Sequence, residues 1–184
     1  MILLLTGIRR GELLALTWES INLTDKTISI TDSRQYRHGG FGVYNKGGTK
    51  TVSGIRCFVI SQKLVDELII YKHWYDNTVS LWTENENYLI VNPQSGKPIF
   101  PTVVYKWLAE SLENCGLKRV SVHSLRHLFI SLSVKNGVAI SAIAQAVGHA
   151  RVTTTLNNYT HFIAESSQDV ANSVDRLFDK QSRI

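Results

Sequence analysis

One short segment of the sequence brings two imidazoles and a guanidinium close together. His123, Arg126 and His127 stand three and four positions apart, so a helix would carry all three on one face. Burying such a cationic cluster costs free energy unless an anion neutralises it. The spacing therefore indicates an anion-binding site, and the plain alternative is a helix start with solvated polar side chains.

A second segment combines a histidine with a tyrosine. Gly148-His149 precedes Tyr159 by ten residues, and His161 follows it. A lone tyrosine in a polar stretch is usually a packed surface ring, because a phenol with a pKa near 10 becomes a nucleophile at neutral pH only beside a base or a cationic pocket. The threonines of residues 153–155 can cap a short helical turn that would aim Tyr159.

Two further segments supply cations. Residues 6–13, TGIRRGEL, carry Arg9 and Arg10 into a helix, and both helix N-termini and arginine forks favour phosphate oxygens. The alternative is that Glu12 pairs with an arginine and stabilises the helix start. Lys50 follows a glycine-rich stretch in a predicted hairpin, where a lysine is usually a solvated turn residue.

The pattern around these segments predicts an α+β domain that is mainly α-helical, with a small three-stranded antiparallel sheet near the N-terminus. Residues 11–18 read as a helix, and residues 27–31, 33–37 or 41–45, and 55–60 read as strands. Four later helices are predicted to begin at Ser61, at Thr102, at Ser121 or His123, and at Ser141, and a fifth carries the apolar stripe Val170, Val174, Leu177 and Phe178.

Size and charge narrow the class of protein. The 184 residues suit one domain, and the net charge of +5 is compatible with a polyanionic partner. Residues 1–60 hold eight Lys and Arg against four Asp and Glu, whereas residues 163–184 hold three against four. A DNA-facing surface would therefore draw on the first third of the chain. No apolar run is long enough for a signal peptide or membrane span, and two cysteines make no disulfide framework, which predicts a cytoplasmic protein.

The chemically active residue types occur in the order and spacing of one enzyme family. They are Arg9, Lys50, His123, Arg126, His149 and Tyr159. This set resembles the catalytic set of the tyrosine recombinases, the phage integrase type, with all six positions filled. The resemblance covers roughly residues 5–161, most of the chain. It implies the catalytic-domain fold of that family.

Two positions in the resemblance require a choice between neighbouring residues. Residues 6–18 match the family's first segment closely, and their spacing selects Arg9 rather than Arg10 as the catalytic arginine. Lys50 fits the family's hairpin lysine better than Lys46, because residues 53–56 then fall in register.

The resemblance implies a DNA breaking and joining reaction. Tyr159 would attack a phosphodiester and become linked to the 3′ phosphate, releasing a 5′ hydroxyl. Since the phosphotyrosine keeps the energy of the broken bond, rejoining needs no ATP. Arg9 and Arg126 would bind the non-bridging oxygens of the phosphate.

The remaining roles follow from the same resemblance. Lys50 would protonate the leaving 5′ oxygen, His123 would act as acid and base near the tyrosine, and His149 would hydrogen-bond the phosphate. His127 and Glu12 are expected to support the site rather than react. No metal and no cofactor is expected, because arginines supply the positive charge that metal ions provide in other phosphoryl-transfer enzymes.

The resemblance also predicts domains and partners. Residues 1–162 would form the catalytic domain, and residues 163–184 a C-terminal helix that docks on a neighbouring subunit or packs on its own domain. From the resemblance we expect that the family's N-terminal DNA-clamping domain is missing and that the first helix is truncated at Met1, so this chain alone is expected to bind DNA weakly and recombine poorly. Expected partners are double-stranded DNA, further copies of the chain as a tetramer on DNA, and accessory DNA-bending proteins, at the nucleoid and not at a membrane.

Three alternatives remain open from the sequence. A type IB topoisomerase uses similar tyrosine chemistry to relax supercoils, and a truncated relic could bind DNA without activity. A metal-dependent hydrolase would use His123, His127 and His149, because histidines four apart on a helix can bind zinc. However, no glutamate stands between the first pair, and no carboxylate lies near the third histidine.

Overall fold

The structure is a computed structural model that describes residues 1–36, 43–45, 55–79, 87–149, 151–153 and 155. Within these residues the longer helices follow the sheet in the chain. The helices are α1 (Ile2–Thr6), α2 (Arg10–Ala15), α3 (Gln62–Thr78), α4 (Pro101–Asn114), α5 (Val122–Lys135) and α6 (Ile140–Val147). The strands are β1 (Ile21–Asn22), β2 (Thr27–Ile30), β3 (Arg34–Tyr36), β4 (Val43–Asn45) and β5 (Arg56–Val59).

Strands β1, β2 and β5 form an antiparallel sheet with β2 in the middle. Ile28 lies opposite Ile21 on one side and Phe58 on the other. The predicted class, mainly helical with a small three-stranded antiparallel sheet, is therefore confirmed.

The segment predicted as another strand of this sheet forms a separate hairpin, in which β3 pairs with β4. The ladder between β2 and β5 ends at Ile30, and just beyond it the Asp32 side chain accepts a hydrogen bond of 2.7 Å from the backbone N–H of Ser33. Such a local bond competes with strand pairing, which explains the break between the two sheets.

The predicted helix over residues 11–18 is shorter in the structure and ends at Ala15. Beyond it, the backbone pairs with a distant segment: the Leu16 carbonyl accepts from the Leu89 N–H at 2.8 Å, and the Trp18 N–H donates to Asn87 at 3.1 Å. Trp18 instead begins a short 3₁₀ turn and packs its ring edge-on against Tyr75. Tertiary pairing overrides the local helical pattern here.

Two of the predicted helix starts are confirmed, because the Ser61 and Ser121 hydroxyls each accept a backbone N–H of the first turn. The starts at Thr102 and Ser141 are wrong. The N-cap of helix α4 is Phe100, two residues before Thr102, and the helix begins at Pro101, whose fixed φ suits the first helical position. Helix α6 begins at Ile140, because its first hydrogen bond joins Ile143 to the carbonyl of Ala139.

Two apolar clusters hold the elements together. The larger one joins α1, α2, the central strand and α3, and includes Leu3, Leu14, Ile28, Leu64 and Leu68. The smaller one packs α6 on α5 and contains Ile130, Ile143 and Val147. Helix α1 also packs against α5. Helix α5 is thereby fixed between the N-terminal segment and the end of α6. No helix among the described residues has both the length and the apolar character needed to cross a membrane.

Candidate active site

Arg9 stands immediately before α2, and Glu12 holds it there. The Glu12 carboxylate accepts the Arg9 backbone N–H at 2.7 Å and the Arg9 guanidinium at 2.9 Å. A second guanidinium nitrogen of Arg9 donates to the carbonyl oxygen of Gly148 at 2.9 Å. The Arg9 side chain nevertheless keeps 46% of its surface exposed. It is anchored on one side and open to an incoming anion on the other.

Arg126 reaches the same region from α5, and it is buried, with 4% exposed. Its Nη1 donates to the carbonyl oxygen of Gly7 at 2.7 Å. Gly7 ends α1 with φ +63°, and a Cβ there would lie 2.5 Å from the ring of Phe129 on α5. Glycine thus allows the close approach of α1 and α5 that brings Arg126 to this carbonyl.

A cleft of about 440 Å³ collects three of the predicted site residues: Arg9, His123 and Arg126 all line it. Arg10 and Tyr105 lie on its wall, where the Arg10 guanidinium stacks 4.8 Å above the Tyr105 ring. The cleft is therefore rich in positive charge.

The His123 ring lies at the start of α5, edge-on to the His127 ring with 4.6 Å between centroids. Partial desolvation lowers the pKa of His123, and the charges of His127, Arg126 and Arg9 lower it further. A lowered pKa keeps His123 neutral near pH 7, the form that can accept a proton.

His149 follows Gly148 at the end of α6. Its Nδ1 lies 2.7 Å from the Thr155 hydroxyl, and Thr155 is completely buried. Burial lowers the pKa of His149 to about 4, and the charges of Arg126 and Arg9 act in the same direction. The ring is neutral at physiological pH, and its electrostatic environment contains both site arginines.

Glu12 lies behind Arg9 and also binds Arg56, the first residue of β5. The two side chains form a paired contact, with Nη2 to Oε2 at 2.9 Å and Nη1 to Oε1 at 3.1 Å, and both are nearly buried. Burial raises the pKa of Glu12, but Arg56 and then Arg9 more than offset this, so its pKa is lowered. The expected supporting role of Glu12 is seen in these contacts.

Sequence reasoning missed Arg56. Residues 53–56 were used only to choose Lys50 over Lys46. An arginine at the start of a strand gives no sequence signal that its side chain is buried. The signal is tertiary: the partners of Arg56 lie 44 and 90 residues away along the chain.

Two predicted site residues, Lys50 and Tyr159, lie outside the described residues. Before Tyr159 the structure describes residues 151–153 and 155, and Val152, Thr153 and Thr155 are helical, so Thr153 and Thr155 lie within the turn and do not cap it. Among the described residues, no three histidine, cysteine or acidic side chains gather in a group that could hold a metal ion, and His123, His127 and His149 are all described.

Comparison with known proteins identifies the family. The model of the phage integrase family matches residues 1–165. This chain belongs to the phage integrase family. The integrase of Staphylococcus phage L54a is 31% identical over 179 residues, which cover 94% of this chain and 49% of that protein. The ICEBs1 integrase of Bacillus subtilis is 28% identical over 94% of this chain and 46% of that relative.

Solved structures of integrase-family proteins share the fold. The Tn1549 transposon integrase in complex with circular intermediate DNA superposes with a TM-score of 0.75 at 22% identity, over 96% of this chain and 57% of that one. The XerA recombinase superposes with a TM-score of 0.69 at 26% identity, over 91% of this chain and 55% of that one. This integrase-family chain spans about half the length of the curated relatives that it matches.

Proposed function

We propose that this chain carries the catalytic domain of a site-specific DNA recombinase that cleaves and rejoins DNA through a covalent 3′-phosphotyrosyl link to Tyr159. The observation that carries the proposal is the meeting of Arg9, His123 and Arg126 around one cleft, from opposite parts of the chain. A cationic cleft of this kind fits a phosphodiester, and family membership supports the same chemistry.

In the cleavage step, the Tyr159 oxygen bonds to the phosphorus and the bond between phosphorus and the 5′ oxygen breaks. The phenolic proton passes to His123, and the electron pair of the broken bond stays on the 5′ oxygen, which takes a proton from Lys50. Rejoining reverses these transfers, with a 5′ hydroxyl attacking the phosphotyrosine.

The two arginines stabilise the transition state by charge and geometry. As the phosphorus becomes five-coordinate, negative charge builds on the non-bridging oxygens, and fixed guanidiniums bind these oxygens most strongly at that stage. Arg9 is held by Glu12 and Gly148, and Arg126 by Gly7, so neither has to reorganise during the step.

His149 contributes a neutral hydrogen bond. With its pKa lowered to about 4 it carries one ring proton at pH 7. When Nδ1 accepts the Thr155 hydroxyl, that proton sits on Nε2, which can then donate to a phosphate oxygen. In that tautomer the contact with Thr155 leaves Nε2 as the nitrogen that donates to the phosphate.

We further propose double-stranded DNA as the substrate and a location at the nucleoid. The Tn1549 transposon integrase, which shares the fold, was solved in complex with circular intermediate DNA. Residues 1–162 would form the catalytic domain, and self-association as a tetramer on DNA would use residues 163–184. Accessory DNA-bending proteins would assist assembly. Deleting residues 164–184 should abolish oligomer formation on DNA, and unchanged assembly in an electrophoretic mobility assay would rule out the docking role.

The test of the function is a covalent adduct. The full chain is incubated with a labelled pool of nicked duplexes of randomised sequence, so that release of a short fragment traps the phosphotyrosine, and protein-bound label is resolved under denaturing conditions. The wild type should form the adduct and Tyr159→Phe should lose it. Tyr105→Phe is the matched control, because Tyr105 lines the same cleft. An adduct that survives Tyr159→Phe, or none with the wild type, would contradict the proposal.

The topoisomerase alternative predicts a different outcome. Such an enzyme relaxes supercoiled plasmid that carries no recombination site, because it needs no partner duplex. We expect no relaxation under conditions in which the adduct forms on nicked duplexes. Efficient relaxation would favour the topoisomerase.

A further inference from the structure

Arg56 touches three parts of the candidate site at once, although it belongs to none of the predicted catalytic positions. Two of its nitrogens bind the Glu12 carboxylate, and its Nε donates to the carbonyl oxygen of Ala146 at 2.8 Å in the last turn of α6. The guanidinium also lies directly against Gly148, where a Cβ would come within 2.6 Å of Nη1.

We propose that Arg56 is a positioning residue of this site: by joining Glu12 to the end of α6, it fixes the Arg9 guanidinium and the turn that carries His149 around the phosphate. The inference rests on the proposed function, because it assigns the means by which that site is held in shape.

The orientation of Arg9 depends on Arg56 through Glu12. Glu12 can orient Arg9 only if Glu12 is itself fixed, and the paired contact with Arg56 fixes both of its oxygens. Each Glu12 oxygen accepts one donor from Arg56 and one from Arg9. Without the Arg56 fork, only Arg9 itself holds the carboxylate, so Glu12 loses the independent anchor that fixes the Arg9 guanidinium.

The turn after α6 is also held in place by Arg56. Arg9 donates to the Gly148 carbonyl and Arg56 donates to the Ala146 carbonyl, so two arginines hold this turn from one side. Since His149 follows directly, its ring position depends on both contacts. Arg56 therefore acts on two predicted catalytic residues without touching substrate.

The contacts of Arg56 require an arginine at this position. The three contacts need three N–H donors in one rigid plane, which a guanidinium provides and a lysine ammonium does not. The Arg56 side chain is 6% exposed, so solvent cannot replace a lost donor easily. Arg56→Lys keeps the charge and removes the fork, while Arg56→Gln keeps one donor group and removes the charge.

The experiment has a readout that does not depend on catalysis. In the nitrogen-15-labelled full chain, the guanidinium signals of Arg9 are assigned by their loss in Arg9→Lys. Both Arg56 variants should broaden or shift these signals. Arg119→Lys, the same substitution in an exposed ion pair with Glu113, should leave them unchanged. Unchanged Arg9 signals in Arg56→Lys would overturn the proposal whether or not the chain cleaves DNA.

The second readout is single-turnover adduct formation at saturating nicked DNA. Arg56→Lys should slow it roughly 100-fold, the cost of a misplacement of about 1 Å. DNA affinity should change far less, and the effect should become much smaller in an Arg9→Ala background, where only the part that acts through the turn carrying His149 remains. A wild-type rate in Arg56→Lys, or an equal effect in both backgrounds, would overturn the proposal.

Failure of the proposed function and failure of the positioning role of Arg56 would give different results. If the wild type forms no adduct but the Arg9 signals respond to Arg56→Lys, the proposed function fails and the positioning role stands. If neither Arg56 variant folds by circular dichroism where Arg119→Lys does, Arg56 serves to maintain the fold, and the proposal is overturned.

Discussion

The guanidinium of Arg9 donates a hydrogen bond of 2.9 Å to the carbonyl oxygen of Gly148, across 139 residues of sequence. This contact joins the segment before α2 to the turn after α6. It thereby brings His149, which follows Gly148, close to Arg9. The Arg9 Nη1 donates to Glu12, and the three guanidinium nitrogens of the neighbouring Arg56 donate to Glu12 and Ala146. The candidate site is therefore a network in which each side chain helps to position the others.

Gly148→Ala should destabilise the protein more than the matched change Gly116→Ala. Both glycines have a positive φ, +69° and +66°, so each substitution carries the strain of a left-handed residue, about 1–2 kcal/mol. An alanine at 148 would also overlap the held guanidinium of Arg56, which should add about 1–3 kcal/mol, whereas the space at 116 is open. Urea unfolding measures both. Equal losses would mean that Arg56 moves aside freely.

The stability of the protein should fall on acidification because of His149. Its pKa is lowered to about 4 in the folded state, so the unfolded state, with a pKa of about 6.5, takes up the proton first. The free energy of unfolding is therefore unaffected by His149 above pH 6.5. It falls as the pH drops from 6.5 towards 4, by at most about 1.4 kcal/mol per pH unit. His149→Asn should flatten the curve of unfolding free energy in this window. An identical slope in the variant would contradict the assignment.

Glu12→Gln should cost about 3–5 kcal/mol of unfolding free energy at pH 7, because it leaves the Arg56 charge buried without its counter-ion. The control is Asp76→Asn, which breaks an exposed pair with Lys72 and should cost less than about 1 kcal/mol. Because the folded pKa of Glu12 is lowered from 4.5, its stabilisation is present above that pH and is lost as the pH falls through the folded value. The difference between wild type and Glu12→Gln should thus shrink in strong acid.

Lys50→Ala should slow cleavage of an ordinary phosphodiester by about 10²–10⁴, the usual contribution of a general acid. A substrate with sulfur in place of the 5′ bridging oxygen should be cleaved at nearly the wild-type rate, because a thiolate leaves without a proton. Lys46→Ala is the control and should cleave both substrates normally. A defect with both substrates in Lys50→Ala would assign that lysine to binding instead.

Capping residues and apolar stripes in the sequence predicted several helices near the site, because both depend on residues that are close together along the chain. Ser61 and Ser121 cap helices as expected, and the stripe of Ile143, Ala144 and Val147 marked α6. The helix over residues 11–18 was predicted too long, since the distant segment of residues 87–89 pairs with its last part. No local pattern contains that partner.

From the sequence, the resemblance to the tyrosine recombinases selected Arg9, Lys50, His123, Arg126, His149 and Tyr159 as the candidate site, and the family match covers residues 1–165. Tertiary structure alone decided how the described members are held. Arg56 and Glu12 meet across 44 residues, and Arg126 meets Gly7 across 119. These contacts form only when the helices and the sheet pack together and exclude water, because water competes for a carboxylate or a guanidinium until both partners are buried. Spacing along the chain carries no record of that burial.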